Sequence, residues 1–267
     1  MTDATQKHPL ALKRLVYRLD GMETVVVTRD VEYARGVAGP LTMDVYHPGG
    51  DGTAPVVVIA NGYRDVGGPR PLGCAFKAMG TVTSLAQLLA ASGIAAGAYT
   101  SREPAADAGG ALDYLAANAS TLRIETTRIG LWAFSGHVPL ALGILMDRHR
   151  TIGAAVLSNG FMLDLEGTAV ADAAETYRFA NASSGRTIGD LPADLPLLIV
   201  RSGRDEFTGV NETIDRFVAD ALRRNLPITL VNHAGAPHAF EINEDSDASR
   251  HVIGQMLEFM RFHLDRR

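Results

Sequence analysis

Residues 129–139 read IGLWAFSGHVP, an apolar run that ends at Ser135 and is followed directly by glycine. The run is typical of a buried strand. Residues 138–146 are typical of a helix with proline in its first turn, where proline is tolerated. A sharp turn from strand to helix exposes the side chain at its apex to a base at the carboxyl edge of a sheet. The sequence therefore predicts that Ser135 is a nucleophile, and the alternative is a serine that only caps a helix.

Short apolar runs alternate with helical patterns along most of the chain. Such runs indicate strands covered by helices on both faces, and the alternation favours a mostly parallel, doubly wound α/β sheet. The predicted strands are 56–60, 94–99, 129–133, 154–157, 197–200 and 228–231. Two earlier segments, 24–28 and 41–46, flank a Gly/Pro turn and predict an antiparallel pair at the start of the sheet.

One segment, residues 161–195, breaks this alternation. It contains a helical piece at 169–179 and then a polar loop. Because it follows the strand after Ser135, it is expected to form a small cap over the carboxyl edge of the sheet. No second domain is indicated, so residues 1–267 are predicted to form a single α/β domain.

Composition excludes several classes of function. The chain has 267 residues, of which 46% are hydrophobic and 21% charged, and its net charge is −5. Without a Lys/Arg cluster, neither a nucleic-acid partner nor an anionic membrane surface is expected. No apolar stretch approaches the roughly 20 residues that span a bilayer, and the polar N-terminus lacks a secretory signal, so a cytoplasmic protein is expected. Cys74 is the only cysteine, which excludes an intrachain disulfide and a thiolate metal site.

Two later strand ends carry the groups that a nucleophilic serine requires. A serine hydroxyl reacts when a base takes its proton, and a third group must orient that base. Asp205 follows the next-to-last predicted strand, with Glu206 as the reserve candidate. The loop after the last strand offers His233 and His238, of which His238 is favoured because it follows a Gly/Pro turn and His233 lies at the strand end.

The order of Ser135, Asp205 and His238, each placed after a strand, resembles the α/β-hydrolase superfamily. The segment PHAF at 237–240 is similar to the histidine loop of dienelactone-hydrolase-like members. The resemblance covers the chain from about residue 41 to the C-terminus. It implies a cofactor-independent, carboxylesterase-like serine hydrolase that cleaves an ester or lactone through an acyl-enzyme.

The resemblance also implies two amide donors for the oxyanion. The first is Gly136, directly after the serine, and the second is Tyr63, in a loop that reads Asn61-Gly62 where family members often have His-Gly. The residues expected to line the substrate pocket are Asn61, His137, Phe161 and Tyr177. The loop at 66–69 is expected to form the rim of that pocket.

Three positions depart from the family pattern, and the departures at His137 and Asn61 keep other functions open. The common elbow reads G-x-S-x-G, whereas this chain has alanine at the first position and His137 at the last, and Asn61 replaces a histidine. A non-catalytic protein that binds a small molecule is one alternative, and a C–C hydrolase or lyase with the same residues is another. The expected partner is a small-molecule ester, without cofactor or metal, and a homo-oligomer is compatible with the sequence.

Overall fold

The computed structural model describes most of the chain. The described residues are 7–37, 39–65, 72–147 and 149–264, with only the backbone described at 128. The loop at 66–69, predicted to form a pocket rim, lies outside the described residues.

Eight strands of the described chain form one mixed sheet. They are β1 (Val26–Gly36), β2 (Gly39–His47), β3 (Ala54–Ile59), β4 (Ala95–Tyr99), β5 (Ile124–Phe134), β6 (Ile152–Ser158), β7 (Leu197–Ser202) and β8 (Ile228–His233). Their spatial order is β1-β2-β4-β3-β5-β6-β7-β8. β2 pairs antiparallel with both β1 and β4, and every other neighbouring pair is parallel. The predicted fold class, with antiparallel strands at the start of a mostly parallel sheet, is confirmed.

Helices cover both faces of the sheet. They are α1 (Pro9–Leu12), α2 (Gly80–Ala91), α3 (Pro104–Ala117), α4 (Val138–Leu145), α5 (Ala169–Tyr177), α6 (Val210–Arg223), α7 (Phe240–Asn243) and α8 (Asp247–Leu264). Along β3, Val56 and Val58 belong to a core with α3, α4 and α6, whereas Val57 and Ile59 belong to a core with α2 and α8. This alternation explains why β3 is apolar at every position. Within the described residues, none of the helices combines the length and apolar character needed to cross a bilayer.

Five strands start one or two residues away from the predicted positions, and β5 starts five residues earlier than predicted. A 3-10 turn at Met22–Thr24 occupies the beginning of the predicted first strand, so β1 starts two residues later and continues to the turn before β2. β5 starts at Ile124, where it pairs with Ala54, and its register shifts before the apolar run begins at 129. The intervening residues are polar, and a strand read from apolar character alone misses them.

The parallel strands direct their carboxyl ends to one edge, where the loops after β3, β5, β7 and β8 meet. The segment between β6 and β7 contains α5 and a 3-10 turn at Ile188–Asp190. Its backbone contacts this edge, because Ala180 N donates to Gly62 O at 2.8 Å. The insertion is thus joined by a hydrogen bond to the loop after β3.

Candidate active site

Ser135 lies at the apex of a sharp turn between β5 and α4. A 3-10 turn at Ser135–His137 joins the two elements, and Ser135 has a φ of 51°. A residue with a side chain rarely adopts this left-handed conformation, which stores strain and here turns the hydroxyl out of the strand. Gly160, after β6, packs so tightly against the turn that a Cβ there would collide with the Ser135 carbonyl oxygen. The elbow therefore depends on a neighbour without a side chain.

The structure brings Ser135, His238 and Asp205 together in one hydrogen-bonded chain. Ser135 Oγ lies 2.7 Å from His238 Nε2, and His238 Nδ1 lies 2.7 Å from Asp205 Oδ2. Because a carboxylate only accepts, Nδ1 carries the proton and Nε2 is left to accept from the serine hydroxyl. The Asp205 side chain is fully buried and that of His238 is 11% exposed. The arrangement leaves a basic imidazole nitrogen directed at a half-buried hydroxyl.

The reserve candidates occupy supporting positions. Glu206 accepts a bond from the His238 backbone amide at 3.3 Å, so it contacts the histidine loop and not the ring. His233 is buried at the end of β8, where its Nε2 lies 3.1 Å from Ser249 Oγ. The remaining oxygen of Asp205, Oδ1, accepts from Phe207 N at 3.0 Å, which fixes the carboxylate plane.

The two residues predicted to donate amides to an oxyanion lie next to one another. Gly136 is in the first turn after β5, where amides have no intrahelical acceptor. The Tyr63 amide donates to Asn61 Oδ1 at 3.1 Å, so it is already engaged. The Tyr63 side chain folds back over Gly136, and a Cβ on Gly136 would collide with Tyr63 Oη and lie 3.0 Å from Phe179 Cδ1.

Asn61, which was expected to line a substrate pocket, lies beneath the loop after β3 and bonds to groups of that loop. Its side chain is fully buried and donates to Asp65 Oδ2 at 3.1 Å while accepting from the Tyr63 amide. Asp65 in turn accepts from Ser101 N at 2.9 Å and from Phe76 N at 2.9 Å. A short polar side chain that bonds its own backbone two residues on stabilises a turn, which is the role of Asn61 here.

His137, which was also expected to line the substrate pocket, lies against the loop after β3. It is buried, and its Nδ1 accepts from Gly62 N at 2.8 Å. Its ring packs against Tyr63, Phe76 and Phe134, with centroids 4.6 to 5.0 Å away. Burial lowers the pKa of His137 to about 3, so the ring is neutral and can accept. The histidine at the last position of the elbow thus holds the neighbouring loop in place.

Aromatic side chains from the insertion surround the elbow. Phe161 is buried and stacks on Phe179 at 5.8 Å, and Phe179 meets Tyr63 edge-on at 6.3 Å. On the other side, Phe207 lies 4.5 Å from the His238 ring and contacts Tyr177, which is 47% exposed. Of the residues predicted to line a pocket, Tyr177 is the exposed one and Phe161 packs behind Phe179.

A buried carboxyl group behind the histidine loop was not predicted. Glu241 accepts from Ser158 Oγ at 2.5 Å and from Asn159 Nδ2 at 2.8 Å, while Asn159 Oδ1 accepts from Ala239 N at 3.4 Å. Burial raises the pKa of the Glu241 carboxyl. Nothing in the sequence marks this glutamate, because a charged residue three positions after His238 is ordinarily exposed.

Solved structures of similar shape cover nearly the whole chain. An esterase from Pseudomonas putida ECU1011 matches with a TM-score of 0.69 and 14% identity, over 94% of this chain and 86% of that one. The esterase LipW from Mycobacterium marinum matches with a TM-score of 0.66 and 16% identity, over 99% and 97%. An alpha/beta hydrolase from a Medee basin deep-sea metagenome library matches with a TM-score of 0.65 and 16% identity, over 91% and 99%.

Neither a protein-family model nor a curated protein sequence matches the chain. At identities below one fifth, the structural likeness establishes the fold alone. The chain has the α/β-hydrolase fold, as the resemblance in its sequence implied.

Proposed function

We propose that this protein is a serine hydrolase that cleaves a carboxylic ester or lactone through an acyl-enzyme. The observation that carries the proposal is the continuous chain from Ser135 Oγ through His238 to the buried Asp205 carboxylate, with both distances 2.7 Å. The position of Ser135 at a strained elbow adds support, because this geometry exposes a hydroxyl beside its base.

In the first half of the reaction, His238 Nε2 takes the Ser135 proton as the serine oxygen bonds to the carbonyl carbon. The carbonyl oxygen becomes an oxyanion beside the Gly136 amide, at the positive end of the helical turn that leads into α4. Asp205 stabilises the imidazolium that has formed. His238 then protonates the leaving alcohol as its bond to the carbonyl carbon breaks.

In the second half, water takes the place of the alcohol. His238 removes a proton from that water as its oxygen attacks the acyl carbon, and a second oxyanion forms at the same site. When this intermediate collapses, the bond to Ser135 Oγ breaks and the imidazolium returns its proton to the serine. The products are a carboxylic acid and the original enzyme, and Tyr63 is proposed to supply the second oxyanion donor in both halves.

The names of the similar structures agree with this reaction class. The proteins from Pseudomonas putida and Mycobacterium marinum are both described as esterases. The aromatic rings of Phe179 and Phe207 on either side of the elbow suit an apolar acyl or alcohol group. The proposed substrates are therefore small-molecule esters or lactones.

The test is hydrolysis of a series of p-nitrophenyl esters of rising acyl length, together with a simple lactone. Ser135→Ala is expected to lower kcat by about 10⁴-fold or more, because the nucleophile and its base act as one unit. Ser184→Ala, at an exposed serine of the insertion, is the matched control and should keep its activity.

A fluorophosphonate probe should label the wild type and Ser184→Ala but not Ser135→Ala. The proposal fails if Ser135→Ala keeps more than about one tenth of the wild-type rate, or if the wild-type protein neither hydrolyses esters nor reacts with the probe.

A further inference from the structure

The loop after β3 uses its backbone amides internally. Gly62 N donates to His137 Nδ1 at 2.8 Å, and Tyr63 N donates to Asn61 Oδ1 at 3.1 Å. Asn61 cannot readily turn away, since its side chain is fully buried and its Nδ2 is held by Asp65 Oδ2 at 3.1 Å. The Tyr63 amide would have to break a buried hydrogen bond before it could donate to a substrate oxygen, and that loss is unfavourable.

The Tyr63 hydroxyl, unlike the Tyr63 amide, is not already engaged in a hydrogen bond with the described residues. Within the described residues, no hydrogen bond to Tyr63 Oη is present, and the half-buried side chain packs against His137 and Phe179. Its position is fixed by packing, with Oη against the Cα of Gly136. Because no protein hydrogen bond of the described residues has to be broken, this hydroxyl is free to donate to a substrate oxygen beside the Gly136 amide.

We propose that the second donor to the oxyanion is the Tyr63 hydroxyl rather than the Tyr63 amide, an inference that rests on the proposed hydrolase function. As Ser135 Oγ bonds to the carbonyl carbon, the π electron pair moves to the carbonyl oxygen. That oxygen accepts one hydrogen bond from Gly136 N and one from Tyr63 Oη. The phenol keeps its proton throughout, so Tyr63 transfers no group.

Two features of the site suit a phenol to this task. Burial raises the pKa of the Tyr63 hydroxyl to about 12, so the group keeps the hydrogen that it must donate across the pH range of ester hydrolysis. The absence of a side chain at Gly136 is also explained, because the Tyr63 ring and Phe179 fill the space that a side chain would need.

The test compares Tyr63→Phe with Tyr114→Phe, a control that removes the hydroxyl of a half-buried tyrosine on α3. Tyr63→Phe is expected to lower kcat for p-nitrophenyl acetate by about 10²- to 10³-fold, the usual effect of losing one oxyanion donor. KM should change little, because the bond forms with the charge that develops after binding. Tyr114→Phe should match the wild type.

A second measurement separates donation from a structural role. Phenylboronic acid forms a tetrahedral adduct on a serine, whereas benzoate competes as a ground-state ligand. Tyr63→Phe should raise the inhibition constant of phenylboronic acid by a factor similar to the fall in kcat. The inhibition constant of benzoate should be unchanged. Inhibition constants do not depend on the fraction of folded enzyme, so partial unfolding cannot imitate this result.

Each outcome decides a different claim. If Tyr63→Phe keeps a kcat and a phenylboronic acid affinity within about threefold of wild type while Ser135→Ala is inactive, the hydroxyl is not the donor and the hydrolase function stands. If benzoate and phenylboronic acid lose affinity equally in Tyr63→Phe, the inference is also overturned, because the tyrosine then acts through the shape of the pocket. An active Ser135→Ala overturns both proposals.

Discussion

The histidine loop after β8 and the loop after β3 lie at the same edge of the sheet but use their side chains in opposite ways. The histidine loop presents the His238 ring to Ser135. Its backbone is held by two hydrogen bonds, which the amides of the loop donate to Glu206 and Asn159. The loop after β3 turns Asn61 and Asp65 inward, where they hold backbone groups. One loop presents a side chain to Ser135, and the other uses its side chains to hold its own backbone.

Because of this difference, substitutions in the two loops are expected to affect different quantities, kcat in one case and the free energy of unfolding in the other. A change in the hydrogen-bonded chain from Ser135 to Asp205 removes a group that the proposed mechanism uses in the transition state, so kcat should fall while the fold persists. A change beneath the loop after β3 leaves buried polar groups without partners, so the free energy of unfolding should fall as well. Three substitutions test this division.

The largest effect is expected at Asp205. In Asp205→Asn the ring loses the acceptor that sets its tautomer, and kcat should fall by about 10⁴-fold while the free energy of unfolding changes little. Ester hydrolysis and urea denaturation measure the two quantities.

Glu206→Gln is the matched control, since an amide oxygen can still accept from the His238 amide. It should stay within about threefold of wild type in kcat. Equal losses in the two variants would mean that Asp205 is not the group that orients the ring.

A smaller effect, mainly on stability, is expected at Asp65. Asp65→Asn places an amide nitrogen where carboxylate oxygens accept from Asn61, Phe76 and Ser101, and it should lower the free energy of unfolding by about 3 kcal/mol. Asp113→Asn, which breaks the mostly exposed ion pair with Arg150, should lower it by less than about 1 kcal/mol. Urea denaturation compares the two, and similar losses would contradict a scaffold role for the loop after β3.

The smallest effect is a pH dependence at His137. Burial lowers the pKa of His137 from 6.5 to about 3, so the unfolded chain binds a proton between these values and the folded protein does not. The stability that neutral His137 provides is fully present above pH 6.5 and is lost as the pH falls towards 3. From pH 7 to pH 5 this loss amounts to about 2 kcal/mol.

His137→Asn tests this dependence because asparagine oxygen can replace Nδ1 as the acceptor for Gly62 N without titrating. The variant should lose less stability than the wild type between pH 7 and pH 5, as measured by thermal or urea unfolding at each pH. Parallel curves for the two proteins would show that His137 does not titrate on unfolding.

The sequence allowed the fold to be predicted, and it also singled out three side chains that the structure places in contact, because both predictions follow from the positions of strand ends. Apolar runs located the parallel strands, and the residues directly after them included Ser135, Asp205 and His238, which the structure brings together. The position of a residue after a strand is a local property of the chain. Whether its side chain faces outward or inward depends on the neighbouring elements.

For that reason the hydrogen bonds of the supporting residues could not be predicted. Asn61 and His137 were expected to face a substrate, but Tyr63 N and Gly62 N use them as acceptors. Glu241 was missed because its partners, the last residue of β6 and the residue after it, are 83 and 82 residues away along the chain. Only tertiary contacts reveal a carboxyl group that is buried among hydrogen-bond donors.

The contact between Tyr63 Oη and Gly136 means that the side chains allowed at position 136 depend on the residue at position 63. A methyl group at 136 needs the volume that the phenol occupies, so alanine fits there only if the tyrosine is replaced by a smaller residue. A side chain introduced at position 136 is therefore expected to be tolerated only together with a change at position 63.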